Sequence, residues 1–275
     1  MSHSPGAGGA SSTDRPELDT SVPHSARVWN HWLGGKDNYA VDREVGEQLR
    51  AMMPDVIVSA RADREFLQRA VTYLVREAGL RQFLDLGTGL PTADNTHEVA
   101  QRLAPESRVV YVDNDPLVLV HAQALLVGTP EGATDYVSAD VHDPGTVLRE
   151  AARTLDFTRP VGLMMLGILN YVIGADEARS IVGELMGALP SGSHLVIGHP
   201  TADYDPEGMA ELLRIWNSAN PAEMRARNRT EVAALLDGLE PLEPGVVPAS
   251  RWRPTAGTLY ADRDVSQLCA VARKP

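Results

Sequence analysis

Apolar residues recur at helical spacing in the first third of the chain, then gather in short unbroken runs separated by further helical stretches. Val28, Trp29, Trp32 and Leu33 share one helix face, with Ser25 placed to cap its start and Gly34-Gly35 to stop it. A second helix is predicted from about Asp42 to Met52. A long third helix over Ser59–Gly79 carries Phe66, Leu67, Ala70, Val71, Leu74 and Val75 on one side. The pattern then changes. Phe83–Leu86 is an apolar run bounded by glycine and reads as a buried strand. Strands are likewise predicted at Val109–Val112, Thr134–Ala139, Pro160–Leu166 and His194–Ile197. The fourth is almost wholly apolar, as a strand buried on both faces requires. Helices are predicted between them at Asn95–Leu103, Pro116–Leu126, Gly145–Leu155 and Asp176–Leu189. Beyond lie helices at Glu207–Asn217 and Thr230–Leu236 and two last strands at Leu242–Val247 and Gln267–Arg273. Ser250–Asp264, with Trp252 and Tyr260, reads as an irregular loop.

Alternating strands and helices imply an α/β domain: a parallel sheet with helices on both faces. In such sheets ligands bind at the carboxyl ends of the strands, and there the polar residues interrupt the apolar runs. Gly87, Thr88 and Gly89 follow the first strand, where glycine lets the backbone turn sharply and offer its amides. A Gly-x-Gly turn alone is equally able to close a turn and do nothing more. Asp113 ends the second strand one helix length further on, where a carboxylate can accept both hydroxyls of a ribose. Its alternative role is a helix cap, but Asp115 before Pro116 already supplies one. Asp140 ends the third strand and can cap a helix or accept from an exocyclic amine. Leu166, Gly167 and the residues to Asn170 follow the fourth.

Composition narrows the function classes. The 275 residues carry a net charge of −12 with a pI near 5.1, which opposes nonspecific binding to nucleic acid or an anionic membrane. No apolar run is long enough to span a bilayer, and no secretory pattern opens the chain, so a cytoplasmic location is expected. The single cysteine, Cys269, sits in an apolar run and reads as core. The eight histidines are scattered, without metal-ligand spacing, and no metal is expected. Residues 1–22, rich in Gly, Ser and Pro, read as a disordered tail; 23–80 as an N-terminal helical cap; and 81–275 as the ligand-binding domain, forming one globular unit with the cap. The polar stretch Lys36-Asp37-Asn38-Tyr39 is either the bend of a helical hairpin or a loop closing over a ligand. Arg225, Arg227 and Arg229 read as a solvated face.

The ensemble Asp85-Leu-Gly87-Thr-Gly89, Val-Tyr-Val-Asp113 and Ala139-Asp140-Val141 resembles the first three motifs of class I S-adenosylmethionine-dependent methyltransferases. More narrowly, Arg27-Val-Trp-Asn-His-Trp-Leu-Gly-Gly-Lys-Asp-Asn-Tyr39, with the stretches Phe83–Thr92 and Val110–Pro116, resembles an actinobacterial family of S-adenosyl methyltransferases of unassigned substrate. The resemblance implies a Rossmann-like sheet of seven strands with the last antiparallel. It also implies that Gly87, Thr88 and Gly89 admit the methionine part of S-adenosylmethionine, with Asp85 beneath its ammonium group. Asp113 would hold the ribose, Asn114 would border the adenine, and Asp140 with Val141 would grip its amine and face. Leu166 and Gly167 would line the cofactor beside the acceptor. Apart from the resemblance, the polar density of Lys36, Asn38 and Tyr39 after two glycines suggests a lid over the cofactor or the acceptor.

Methyl transfer from a sulfonium mainly requires positioning. A base is needed only for an acceptor that must lose a proton, and His199, Tyr171 and His31 are the candidates. The expected acceptor is a small molecule; the oligomeric state stays open, a homodimer included. Two rival readings are a nicotinamide-dependent oxidoreductase and a noncatalytic binding protein on the same fold. Against the first, Thr92 stands at the third glycine position of the dinucleotide fingerprint, preceded by Pro91, and Asp85 puts negative charge under the place for a pyrophosphate.

Overall fold

A computed structural model of the chain describes residues 20–275, apart from 116, 117, 119, 123–127, 221 and 259. The expected tail therefore lies outside the described residues save for its last three positions. Three helices come first: α1 (Ser25–Trp32), α2 (Ala40–Met52) and α3 (Val56–Arg76). Ser25 is the first residue of α1 rather than its cap. His24 takes that position, its ring Nδ1 accepting from the Ala26 N–H at 3.4 Å. Asp42 closes a capping box at the start of α2 and accepts from the buried Arg27 guanidinium of α1, tying the two helices together.

The sheet has eight strands in the order β3-β2-β1-β4-β5-β8-β6, with β7 also paired to β8. β1 (Gln82–Leu86), β2 (Arg108–Asp113), β3 (Ala133–Ser138), β4 (Gly162–Leu166) and β5 (His194–Pro200) run parallel; β8 (Gln267–Arg273) returns antiparallel beside β5. The helices α4 (Thr96–Leu103), α5 (Pro144–Ala151), α6 (Ala175–Ala188), α7 (Pro206–Ala219) and α8 (Arg229–Ala234) complete the fold. Val118 and Val120–Ala122 are helical; the rest of the helix expected over Pro116–Leu126 falls largely outside the described residues. One face of the sheet packs on α5, α6 and α8, the other on α3 and α4, so both faces of β1 and β4 are buried.

The sheet has one strand more than expected, because Leu242–Val247 does not run straight. It splits into β6 (Glu240–Pro241) and β7 (Val247–Pro248) around a turn in which Gly245, at φ +78°, donates to the Leu242 carbonyl. Trp252 lies outside regular structure, yet it is fully buried, edge-on to Phe66 and Tyr73 of α3. Arg227 is the larger correction: it is 1% exposed, not solvated. Its guanidinium donates to the Leu169 and Val172 carbonyls at 2.7 and 2.6 Å and lies 2.8 Å from His199 Nε2, clamping the segment after β4 onto β5. α1, α2, α7 and the start of α3 share a separate apolar cluster above the carboxyl edge of the sheet.

Candidate functional site

A cavity of about 680 Å³ opens over the carboxyl ends of β1, β2, β3 and β4, within the range of small-ligand sites. It has two ends. The motif end is built on the sheet. Gly87 turns the chain at φ +71°, and a Cβ there would lie 2.7 Å from Ile168. Any larger residue is thus excluded twice, by conformation and by contact. Asp113 Oδ2 accepts from the Gly89 N–H at 2.9 Å and Oδ1 from the Asp115 N–H at 3.0 Å. The loop after β1 is thereby latched to the end of β2, and each carboxylate oxygen keeps a lone pair for another donor. Burial raises the Asp113 pKa, partly offset by these two amides. Asp85 is buried with its Oδ2 on the Thr96 hydroxyl at 2.6 Å; burial pushes its carboxyl up to about 6. Asn114 donates to Asp140 Oδ2 at 2.9 Å, and His142 holds Asp140 Oδ1. Burial alone would raise the Asp140 pKa, but these hydrogen bonds outweigh it and the net shift is downward.

The cap end is built from remote segments. Trp29 and Trp32 of α1, Met53 and Val56 before and on α3, and Met209, Leu212 and Trp216 of α7 line it, with Asn170 and Tyr171 from the turn after β4. Ala26 stands 3.9 Å from where a Gly89 Cβ would be, so α1 lies over the glycine turn.

Asp85, Gly87, Thr88, Gly89, Asp113, Asn114, Asp140, Val141, Leu166 and Gly167 all border this cavity. Lys36 and Asn38 do not line it. Lys36 is exposed, and the Asn38 amide donates to Asn30 Oδ1 and the Gly35 carbonyl, bracing its own loop. Of the three candidate bases only Tyr171 lines the cavity, with burial raising its hydroxyl to about 12. His199 is buried behind the wall beside Arg227, and burial lowers its pKa to about 3. His31 pairs with Glu47 at 3.0 Å, away from the lining. Among the described residues no group of three or more His, Cys, Asp or Glu side chains could hold a metal ion, and no helix is long and apolar enough to cross a membrane.

Sequence reasoning missed Asp63, Arg64 and Gln267. Asp63 is 5% exposed on α3 and accepts from Gln267 Nε2 of β8 at 2.9 Å; burial raises its carboxyl to about 6, against the pull of that bond. A Cβ on Gly198 would fall 2.6 Å from Asp63 Oδ1, so glycine lets the carboxylate settle on β5. Arg64 borders the motif end and donates to the Ala93 and Asp94 carbonyls, both at 3.1 Å. The available signal was the spacing Ser59, Asp63, Leu67, which puts two polar groups in phase with the apolar stripe of α3.

Comparison with known proteins bears on this geometry. The family model for S-adenosyl methyltransferases matches residues 11–275. A DUF574-family protein from Streptomyces avermitilis is 46% identical, with 94% of this chain and 99% of that one covered at a TM-score of 0.90. A Thermobifida fusca protein described as a candidate methyltransferase is 39% identical, with 94% and 97% covered at 0.86. The plantazolicin methyltransferase BpumL, solved with S-adenosylhomocysteine, is 10% identical over 91% of this chain and 95% of its own, at 0.52, a likeness of fold. No curated protein matches. The chain therefore belongs to the S-adenosyl methyltransferase family: it is an S-adenosylmethionine-dependent methyltransferase on a Rossmann-like α/β fold.

Proposed function

We propose that the motif end of the cavity holds S-adenosylmethionine and that the cap end admits a small-molecule acceptor. Residues 23–80 then act as a cap belonging to the same globular unit as residues 81–275. One observation carries the reading: Asp113 stands at the end of β2, inside the cavity, already bonded to the Gly89 amide and able to accept further. Ribose hydroxyls suit that carboxylate. Asp140 and Val141 suit the adenine, Arg64 a carboxylate, and Asp85 an ammonium. The residues fit such a guest in a second respect. Ser59, Thr92 and Asn170 line the cavity, and their Oγ, Oγ1 and Oδ1 atoms are buried with no partner among the described residues.

When bound, the cofactor supplies a methyl group already activated on a sulfonium. The chain's part is to orient both reactants and exclude water, which α1 does by lying over the glycine turn. With its hydroxyl raised to about 12, Tyr171 is a hydrogen-bond donor at neutral pH rather than a base. Calorimetric titration of the folded protein with S-adenosylhomocysteine tests the reading. One site per chain is expected, and Asp113→Ala should weaken it about 10- to 100-fold, the loss of a charge-assisted hydrogen bond. No heat with the wild-type protein, or an unaltered affinity in the variant, would refute it.

A further inference from the structure

The proposed division of the cavity leaves the cap end without an assigned occupant. Its walls are aromatic and sulfur-rich: Trp29, Trp32, Trp216, Tyr171, Met53 and Met209. The basic lining residues, His24, Arg64 and His142, stand at the motif end or at the start of α1, where His24 pairs with Asp115 at 3.1 Å. Outside the sequence motifs the lining carboxyls are Asp63, whose charge acts on Asp85 and which thus stands between the two ends, and Glu223, which is exposed. Asp63 sits where α3 passes over the ends of β4 and β5: its Oδ1 takes the Gln267 amide, and Oδ2 has no donor among the described residues. One turn earlier on α3, Ser59 is 6% exposed, and its Oγ is a buried atom with no partner among the described residues. Asn170, 3% exposed and also lining the cavity, leaves Oδ1 without a partner among the described residues. A buried carboxylate and two orphaned polar atoms bordering an aromatic chamber call for a donor-rich guest.

We infer that the acceptor is an amine on an apolar body, the body seated among the tryptophans and methionines and the ammonium group held by Asp63 with Ser59 and Asn170. This rests on the cofactor occupying the motif end. An ammonium has three N–H donors, matching one carboxylate oxygen, one hydroxyl and one amide oxygen. Aromatic faces add attraction for the cation, and the apolar body gains from burial. An anionic acceptor would meet Asp63 with like charge, while Arg64, the cation whose charge acts on Asp63, donates to the Ala93 and Asp94 carbonyls. Asp63 also has a proton-transfer role: an ammonium N–H bond breaks, an O–H bond forms on the carboxylate, and the nitrogen lone pair is released. With its carboxyl raised to about 6 by burial, Asp63 is a better proton acceptor than an exposed aspartate.

The test uses the full chain saturated with S-adenosylhomocysteine and three probes of one shape: tryptamine, the corresponding indole alcohol and indole-3-propionate, each titrated by calorimetry. The amine should bind at least about tenfold more tightly than the other two, the margin of one charge-assisted hydrogen bond. Asp63→Asn should erase that preference while leaving the alcohol and S-adenosylhomocysteine affinities within about twofold. Ser59→Ala, which removes a hydroxyl without a partner among the described residues, should weaken the amine by about threefold and spare the fold. Equal binding of the alcohol or the carboxylate, or no amine binding to the loaded protein, overturns the proposal. A tenfold loss of S-adenosylhomocysteine affinity in Asp63→Asn also overturns it, by making Asp63 a cofactor ligand. Failure of the unliganded protein to bind S-adenosylhomocysteine at all would instead strike the cofactor reading beneath it.

Discussion

The two ends of the cavity are built in opposite ways. At the motif end, Arg64 apart, the polar groups stand on or just after the ends of strands or at the start of the next helix, and their partners are close in sequence or one βαβ unit away: Gly89 bonds Asp113, Asn114 bonds Asp140, Thr96 bonds Asp85. At the cap end the neighbours are remote. Asp63 meets Gln267, Arg227 reaches back to Leu169 and Val172, and α7 packs on α1 and α2. Position along the sheet dictates the first set, since parallel strands must release their chains at the same edge. The second set depends on how α1, α2, α3 and α7 pack together. On the proposed division, the cofactor site follows from the sheet alone, while the acceptor site follows from the helices packed over it.

The comparison can be broken or sharpened by substitution. The largest effect belongs to the motif end. Gly87→Val forces a β-branched residue into φ +71° and against Ile168, at a cost of about 1–3 kcal/mol from the backbone alone. S-adenosylhomocysteine affinity should fall at least about 100-fold with a lower melting temperature; retained binding would show that the turn does not approach the ligand. At the cap end, Arg227→Met leaves buried carbonyls unpaired and should cost about 2–4 kcal/mol in denaturant unfolding. Cofactor affinity should change less than about threefold, because Arg227 does not line the cavity.

A smaller effect appears in the pH dependence. Asp85 carries a folded pKa of about 6, above the roughly 3.9 of an unfolded aspartate. The folded state therefore holds more protons between those values, and stability is lost as pH rises from about 4 to 6. Asp85→Asn removes that charge and keeps an oxygen for Thr96. Its melting temperature should gain on the wild type as pH increases from 4 to 7, by the equivalent of on the order of 2 kcal/mol. A difference independent of pH would contradict the buried-charge account. Smallest of all, the exposed Lys36→Ala should leave both cofactor affinity and stability unchanged within about 0.5 kcal/mol.

The same contrast explains what the sequence disclosed. Asp85, Gly87, Asp113 and Asp140 were legible because glycine turns and strand-end acids sit in contiguous motifs. The parallel order of β1 to β5 was legible because apolar runs alternate with helical periodicity. Arg227 misled because a charged run looks solvated, and nothing local reveals three backbone carbonyls waiting above β5. Trp252 looked like a loop residue because its partners, Phe66 and Tyr73, lie far back in the chain. Lys36 and Asn38 drew attention by polar density, yet Asn38 is spent on its own turn, and α1, an amphipathic helix by pattern, is what covers the glycine turn. Ser59 and Asp63 carried a faint signal, two polar residues in phase with an apolar stripe, which the stronger hydrophobic pattern of α3 concealed.

The division of the cavity is tested most directly by a crystal structure with S-adenosylhomocysteine bound. The account places adenine beside Asp140 and Val141, ribose hydroxyls on Asp113 and the sulfur facing an open cap end lined by Trp29 and Trp216. Density for the adenosyl group among those tryptophans, with Asp113 untouched, would contradict it.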